Sequence, residues 1–300
     1  MTKTNAETAS KTGPTKESPL EVQILRETFQ NIDKIRSEHK KQQVQLELFS
    51  QTPEHQYVGP NVVIRSALFG LVAKGSRKYI QNEDICSWGD SKIQYEGEQL
   101  DQSDFDAWML LIKWCGRKVF KERDYVRLEF PLHRFLKELG KSTGGKDRIW
   151  ATQCLERLTG RVKVKDGYQY KGGLIHESFI DAETRKAVVL INPKLAQVFY
   201  SGFTRLDMDT RLRLKGDLAK WLHAFLKSHR GPVFTISIKK LMALVGSRTE
   251  KRYFKRNLKQ ALETLREAAV IQSWKIDERD NAIVSWEAKG QTKPPSDKTP

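Results

Sequence analysis

The stretch that decides the fold is residues 247–270, "SRTEKRYFKRNLKQALETLREAAV". At about 100° per residue, Phe254, Leu258, Ala261, Leu262, Leu265 and Ala269 share one face of a helix. Arg248, Lys251, Arg252, Lys255, Arg256 and Lys259 gather on a neighbouring face. Ser247 or Thr249 is suited to cap the helix, and Glu250 lies near its positive end. One side of such a helix docks on a core, while the other offers cations along roughly three turns. A solvated helix held by i,i+4 ion pairs would need interspersed acids, and after Glu250 none appears until Glu263. The pattern predicts a helix laid against DNA. A major groove admits it, Arg forks onto a guanine edge, and Lys holds phosphates as a point charge.

The surroundings place this helix third in a set. Before it come a helix "TRLRLKGDLAKWLHAFLKSH", a short strand "VFTIS" and a short helix "IKKLMALVG". After it comes a hairpin, "IQSWKI" and "AIVSWEA" around "DERDN". About a hundred positions earlier the same order occurs in different residues. Ser103 is suited to cap a helix "DFDAWMLLIKWCGR"; "PLHRFLKELG" is a short helix with Pro131 in its first turn and Gly140 as its C-terminal cap. "KDRIWATQCLERLTG" is the third helix, and alternating segments "RVKVKDGYQY", "LIHESFI" and "KAVVLI" follow. Helix, helix, helix, hairpin is the winged-helix order. The expected fold class is α+β, two tandem winged-helix domains behind a flexible N-terminal segment. The expected boundaries are 1–57 for that segment, 58–200 and 201–290 for the two domains, and 291–300 for a disordered tail. A hairpin "RKYIQNEDICSW" and "SKIQYEGEQL" opens the first domain.

In the first copy, Lys146 and Arg148 lie in the first turn of the third helix and Arg157 near its end. Thr152 and Gln153 either reach bases or are ordinary surface. In "RVKVK", Arg161, Lys163 and Lys165 point one way and Val162 and Val164 the other, which reads as a cationic wing at a strand edge. The competing account of such lysines is protection of an open edge. Two reading helices on one chain fit successive major grooves, about 34–36 Å apart, so one monomer spans an asymmetric site of roughly two turns.

Charge agrees with a polyanionic partner. The chain of 300 residues carries 53 Lys and Arg against 37 Asp and Glu, a formal net charge of +16. Residues 1–60 hold eight of each sign, so the whole excess lies in residues 61–300. No run is long and apolar enough for a membrane span, and the N-terminus lacks the apolar stretch of a secretory signal. Three cysteines without a CxxC read as reduced thiols.

Catalysis finds little support, and no cofactor or metal site is expected. "GGKD" and "AKGS" lack the frame of a phosphate-binding loop. His39, His55, His133, His176, His223 and His229 form no metal pair, whereas a nicking enzyme would want one beside a nucleophilic Tyr. Phe105, Trp108, Leu111 and Ile112 stand at helical spacing and read as core rather than a stacking surface for single strands.

"PNVVIRSALFG" followed by "RKYIQ", together with the tandem pattern, resembles the TrfA-type plasmid replication initiators over most of residues 58–290. That resemblance implies a bacterial, plasmid-associated cytoplasmic protein that binds repeated origin sequences (iterons) as a monomer and opens an adjacent AT-rich segment. It implies host DnaA, the replicative helicase and the sliding clamp as partners, an inactive stored homodimer, and no nicking chemistry. It also accounts for "QVQLELFSQ", an apolar island in polar chain. Q-L-x-L-F peptides of bacterial sliding-clamp partners match Gln45, Leu46, Leu48 and Phe49, with Glu47 at the variable place. A flexible tether lets Leu48 and Phe49 enter an apolar pocket while Gln45 anchors. Alternatively, Leu46 and Phe49 pack back on the chain itself. The amphipathic stripe Val22, Leu25, Phe29 and Ile32 docks either on a helicase or its loader, or on the chain's own first domain. The competing function is a tandem winged-helix transcriptional regulator, marked by a single promoter operator rather than direct repeats beside AT-rich DNA.

Overall fold

The chain enters through strand β1 (Gln56–Pro60) and one-turn helix α1 (Asn61–Ile64), then forms the hairpin β2 (Tyr79–Ile85) and β3 (Lys92–Glu98). Helices α2 (Gln102–Cys115) and α3 (Lys118–Lys121) lead to β4 (Val126–Phe130), α4 (Leu132–Glu138) and α5 (Gly145–Leu158). Next come β5 (Arg161–Lys165), β6 (Gln169–Gly173), β7 (Glu177–Ile180) and β8 (Ala187–Ile191). A 3-10 turn, Pro193–Phe199, leads to β9 (Phe203–Asp207), α6 (Met208–Arg213) and α7 (Asp217–Lys227). The chain closes with β10 (Val233–Ser237), α8 (Ile238–Leu244), α9 (Lys251–Glu267), β11 (Ser273–Ile276) and β12 (Asn281–Ser285). This computed structural model describes residues 55–286 apart from 74, 117, 122–123, 182 and 185, together with Pro53. The Val22–Ile32 stripe, the Gln45–Phe49 peptide and the tail from residue 291 lie outside the described residues.

The architecture is mixed α+β, with helices over small antiparallel sheets. The order helix, strand, helix, helix, hairpin occurs twice. In the first set α2, β4, α4 and α5 are completed by β7 and β8 in a sheet of order β4-β8-β7. In the second, α7, β10, α8 and α9 are completed by β11 and β12 in the order β10-β12-β11. The short helices α4 and α8 end alike. Gly140 (φ +65°) and Gly246 (φ +68°) take the left-handed position, and the next amide reaches back five residues, Lys141 to the Leu136 carbonyl and Ser247 to that of Met242. Glycine meets that geometry without a Cβ clash, and it turns the chain sharply into α5 and α9.

The structure corrects four local readings. Asp101, not Ser103, caps α2; its carboxylate accepts from the Ser103 and Asp104 amides at 2.8 and 3.0 Å, and Asp104 returns the bond. Glu250 is the N-cap of α9, and neither Ser247 nor Thr249 caps it, since their hydroxyls bond each other at 2.9 Å. "TRLRLKGDLAKWLHAFLKSH" is not one helix but α6 and α7, broken at Leu214 (ψ 128°) and Gly216 (φ +86°). The break has a packing cause: Leu212 packs against the first core and Leu214 belongs to the second, so the chain changes cores inside what periodicity reads as a single helix. Finally, "RVKVK" is no strand edge, because β5 is paired along its length with β3 on one side and β6 on the other. The hairpin β5–β6 is an insertion that joins β2–β3 in a four-stranded sheet of order β2-β3-β5-β6, and the strands completing the first three-stranded sheet are β7 and β8.

The core of the first set centres on α2, where Phe105, Trp108, Leu111 and Ile112 are buried, as their spacing predicts. The second set buries Leu218, Trp221, Leu222 and Phe225 of α7 against Phe254, Leu258, Leu262 and Leu265 of α9. Each such side chain contributes on the order of 1.5–3 kcal/mol by leaving water. The two sets are locked together. Arg211, wholly buried on α6, donates to Asp106 Oδ1 (2.5 Å) and Gln102 Oε1 (2.8 Å) of α2 and to the Lys220 carbonyl (2.6 Å). Lys220 Nζ reaches Asp106 Oδ2 at 2.7 Å. Trp221 Nε1 donates to the Ser66 carbonyl at 3.2 Å, and Trp88 packs edge-on to Phe225 of the second core at 5.9 Å. A buried carboxylate with two cationic partners fixes geometry, because displacing any of them leaves a charge unpaired out of water.

Candidate nucleic-acid interface

Helix α9 presents its cations in two groups. Lys251 and Lys255 lean toward the hairpin β11–β12 and hold Asp280 at its tip, at 2.5 and 2.6 Å. Asp280 sits in the left-handed region (φ +57°), and the two ammonium groups draw its carboxyl down to about 2. That pair fastens the hairpin tip to the start of the helix. Arg252, Arg256 and Lys259 are exposed and make no ion pair among the described residues; Arg248 is exposed as well but, contrary to the sequence reading, lies in the loop ahead of α9 rather than on its face. Arg252 and Arg256 stack their guanidinium groups over the Tyr253 ring, at 4.6 and 5.6 Å, and Arg252 donates to the Tyr253 hydroxyl at 2.7 Å. A stacked guanidinium keeps its forked donors outward and gives up fewer rotamers on binding.

Helix α5 occupies the same place in the first set. Its buried apolar residues each have a buried apolar counterpart 107 positions later in α9: Ala151 and Leu258, Cys154 and Ala261, Leu155 and Leu262, Leu158 and Leu265. The outward residues differ. Lys146, Arg148 and Gln153 are exposed, and Thr152 is partly so. Arg148 Nε donates to the Thr143 carbonyl at 3.0 Å, and the Thr152 hydroxyl bonds the Arg148 carbonyl at 3.3 Å. Where α9 has Arg256, α5 has Ile149, which is 61% exposed.

Arg157 does not lie with them, contrary to the sequence reading. It is 7% exposed, and its Nη2 donates to Asp104 Oδ1 at 2.7 Å, with Nε 3.2 Å from both carboxylate oxygens. Asp104 has no exposure and is also held by Arg77 at 3.0 Å. A carboxylate withdrawn from water requires such partners, so Arg157 anchors α5 to α2 rather than facing outward.

The four-stranded sheet carries a further cationic surface. Arg161 and Lys165 are exposed, Lys163 is half-buried, and Val162 and Val164 face the core. The sheet register sets Lys92 directly opposite Lys165, and Lys163 opposite Lys171. Like charges in direct cross-strand register destabilise a sheet. Two such pairs on one solvent face concentrate positive charge that a polyanion laid on it would relieve. Arg161 is balanced in part by Glu96 at 3.7 Å, and Lys163 donates to Asn82 Oδ1 at 2.8 Å. Lys92 and Lys171 escape sequence reasoning because strand pairing, not periodicity, brings them beside β5. A cleft of about 1070 Å³ runs along the other flank of α9, with Lys78, Arg213, Lys215 and Arg248 on its lining. Arg213 and Lys215 were likewise hidden, in the segment read as continuous helix.

His223 is buried and its Nδ1 lacks a partner among the described residues; burial lowers it to about 3. His229 is lowered to about 4, chiefly by burial. Among the described residues no group of three or more His, Cys, Asp or Glu is placed to hold a metal ion, and no helix is long and apolar enough to cross a membrane.

No family model matches the chain, and no curated protein matches it. Among solved structures, the chain is similar to domains 2 and 3 of RctB, at 11% identity and a TM-score of 0.44, over 73% of this chain and 95% of that one. It is also similar to the Pi initiator protein, solved in complex with iteron DNA, at 12% identity and a TM-score of 0.37, over 79% of this chain and 99% of that one. Likenesses at TM-scores this low carry no argument, and the interface rests on its own residues.

Proposed function

We propose that the chain is a replication initiator that binds duplex DNA through two winged-helix units, with α5 and α9 as the reading helices. The observation that carries this reading is the outward face of α9, where Arg252, Arg256 and Lys259 make no ion pair among the described residues, with Arg248 exposed in the loop just ahead. The twice-occurring order of elements supports the winged-helix assignment. The buried Arg211–Asp106 contact supports a fixed spacing between the two helices. In this reading Lys146, Arg148, Thr152, Gln153, Arg161, Lys163, Lys165, Arg248, Arg252, Arg256 and Lys259 face DNA. Lys251 and Lys255 hold the hairpin tip and add positive charge beside it.

Initiation rather than regulation rests on the resemblance of "VIRSALFG", "RKYIQ" and the tandem pattern to the TrfA-type initiators. The chain then works by binding energy, not by covalent chemistry. Bending DNA costs on the order of 1–6 kcal/mol per site and is offset by contacts, so several occupied repeats accumulate strain in the adjacent duplex. Gln45, Leu46, Leu48 and Phe49 recruit the sliding clamp, and DnaA and the replicative helicase act on the opened DNA.

The test is replication itself. A DNA circle carrying this coding segment, its flanking DNA and no other origin is introduced into a bacterial host. Maintenance that is lost in the Arg252→Ala, Arg256→Ala variant supports initiation. Loss of maintenance with a single protected operator at the promoter indicates the regulator instead. Nicking of supercoiled flanking DNA by the protein with a divalent metal would overturn the non-enzymatic reading.

A further inference from the structure

Ile149 is the feature that duplex binding in general leaves unexplained. It is 61% exposed in the second turn of α5, opposite the buried line Ala151, Cys154, Leu155 and Leu158. Its neighbours on that side are polar or charged: Lys146 one turn earlier and Gln153 one turn later. Thr152, three residues on, has its hydroxyl engaged with the Arg148 carbonyl at 3.3 Å, which leaves its methyl group free. The equivalent place on α9 holds Arg256, a forked donor. A branched aliphatic side chain there offers no hydrogen bond, so what it can give a partner laid on this face is apolar contact.

A major groove presents one apolar group, the C5 methyl of thymine, and an adenine edge accepts and donates in the pattern a Gln amide completes. Residues near the start of a reading helix are those that reach base edges. Ile149 and Gln153 are one turn apart on one side of α5 and so meet adjacent base steps. Glu156, exposed one turn beyond Gln153, limits favourable contact to the first part of the helix by repelling phosphates.

We propose that Ile149 is a specificity-determining residue that reads a thymine methyl group, with Gln153 on an adenine beside it. The two reading helices then divide the site by chemistry: α5 reads an A·T step by methyl contact and amide, while α9 reads guanine by Arg252 and Arg256. The inference rests on α5 being a duplex-reading helix, and it adds which bases that helix reads.

The experiment is atomic substitution in DNA. A duplex site is selected by the full chain from a random pool. Each thymine within it is then replaced in turn by deoxyuridine, which lacks only the methyl group. Wild type should lose about fourfold in affinity at one thymine, the worth of one buried methyl group. Ile149→Ala should bind the thymine and deoxyuridine duplexes equally, with an unchanged melting temperature because the side chain is exposed. Gln153→Ala should lose discrimination at the neighbouring adenine. A wild type indifferent to deoxyuridine throughout the α5 half, or an Ile149→Ala protein that keeps the penalty, overturns the assignment while leaving duplex binding intact. Failure to select any duplex, with Arg252→Ala, Arg256→Ala no different from wild type, overturns the parent reading, and this assignment falls with it.

Discussion

Arg211 Nε lies 2.5 Å from Asp106 Oδ1, and both side chains are withdrawn from solvent. The pair joins α2, which opens the first set of elements, to α6, the short helix leading into the second, and Lys220 of α7 holds the same carboxylate. Removing one partner leaves the other charged and buried. Arg211→Ala should therefore cost about 3–5 kcal/mol, read as a lower urea midpoint. Arg211→Met combined with Asp106→Leu and Lys220→Met, which removes all three charges together, should recover much of that loss. A loss below about 1 kcal/mol for Arg211→Ala would show the contact to be no more than a surface ion pair.

The outward arginines of α9 should separate binding from folding. Arg252 and Arg256 are exposed, with Tyr253 as their contact. Arg252→Ala with Arg256→Ala should abolish site-specific binding in a mobility shift while leaving the melting temperature within about 2 °C, since surface changes stay near ±0.5 kcal/mol. Arg157→Ala should do the reverse in emphasis, lowering stability by leaving Asp104 under-paired.

Binding should fall steeply with salt. Neutralising about six phosphates gives a slope near −5 for log affinity against log salt concentration. Lys92→Gln with Lys171→Gln should make that slope shallower and raise thermal stability slightly, because each removes a like-charge cross-strand pair.

Acid should destabilise the fold between pH 6.5 and about 4. The folded values of His223, about 3, and His229, about 4, lie below the ordinary histidine value of 6.5. In that window the unfolded chain binds their protons and the folded chain does not, so stability is complete above pH 6.5 and is lost as pH falls. Asp217, raised to about 6 mainly by burial, acts in the opposite direction between its ordinary value of 3.8 and 6, and offsets one of the two histidines. Urea midpoints from pH 7 to 4.5 should fall for wild type, and the fall should flatten in His229→Gln.

Leu48→Ala with Phe49→Ala should abolish retention on immobilised sliding clamp and leave DNA affinity unchanged. Undiminished retention would show that the pentapeptide is not the contact.

Much of this arrangement could be read from residues. The apolar period of 254–265 and the glycines ending α4 and α8 are local signals, and the structure carries them. What escaped was decided by contacts distant in sequence. Periodicity cannot show that Leu214 changes cores, or that Asp104 draws Arg157 inward across 53 positions. The β5 lysines alternate as a strand should, but only the register with β3 and β6 makes them an interior row facing Lys92 and Lys171. Ile149 carried a signal, an aliphatic residue off the apolar stripe, that charge counting overlooks.

The most direct test of two reading helices on one rigid chain is a hydroxyl-radical footprint on the selected duplex. The account predicts two protected windows on one face, about 10–10.5 base pairs apart, with Arg252→Ala, Arg256→Ala erasing one and Ile149→Ala weakening the other. A single window, or two that both survive the arginine replacements, would contradict it.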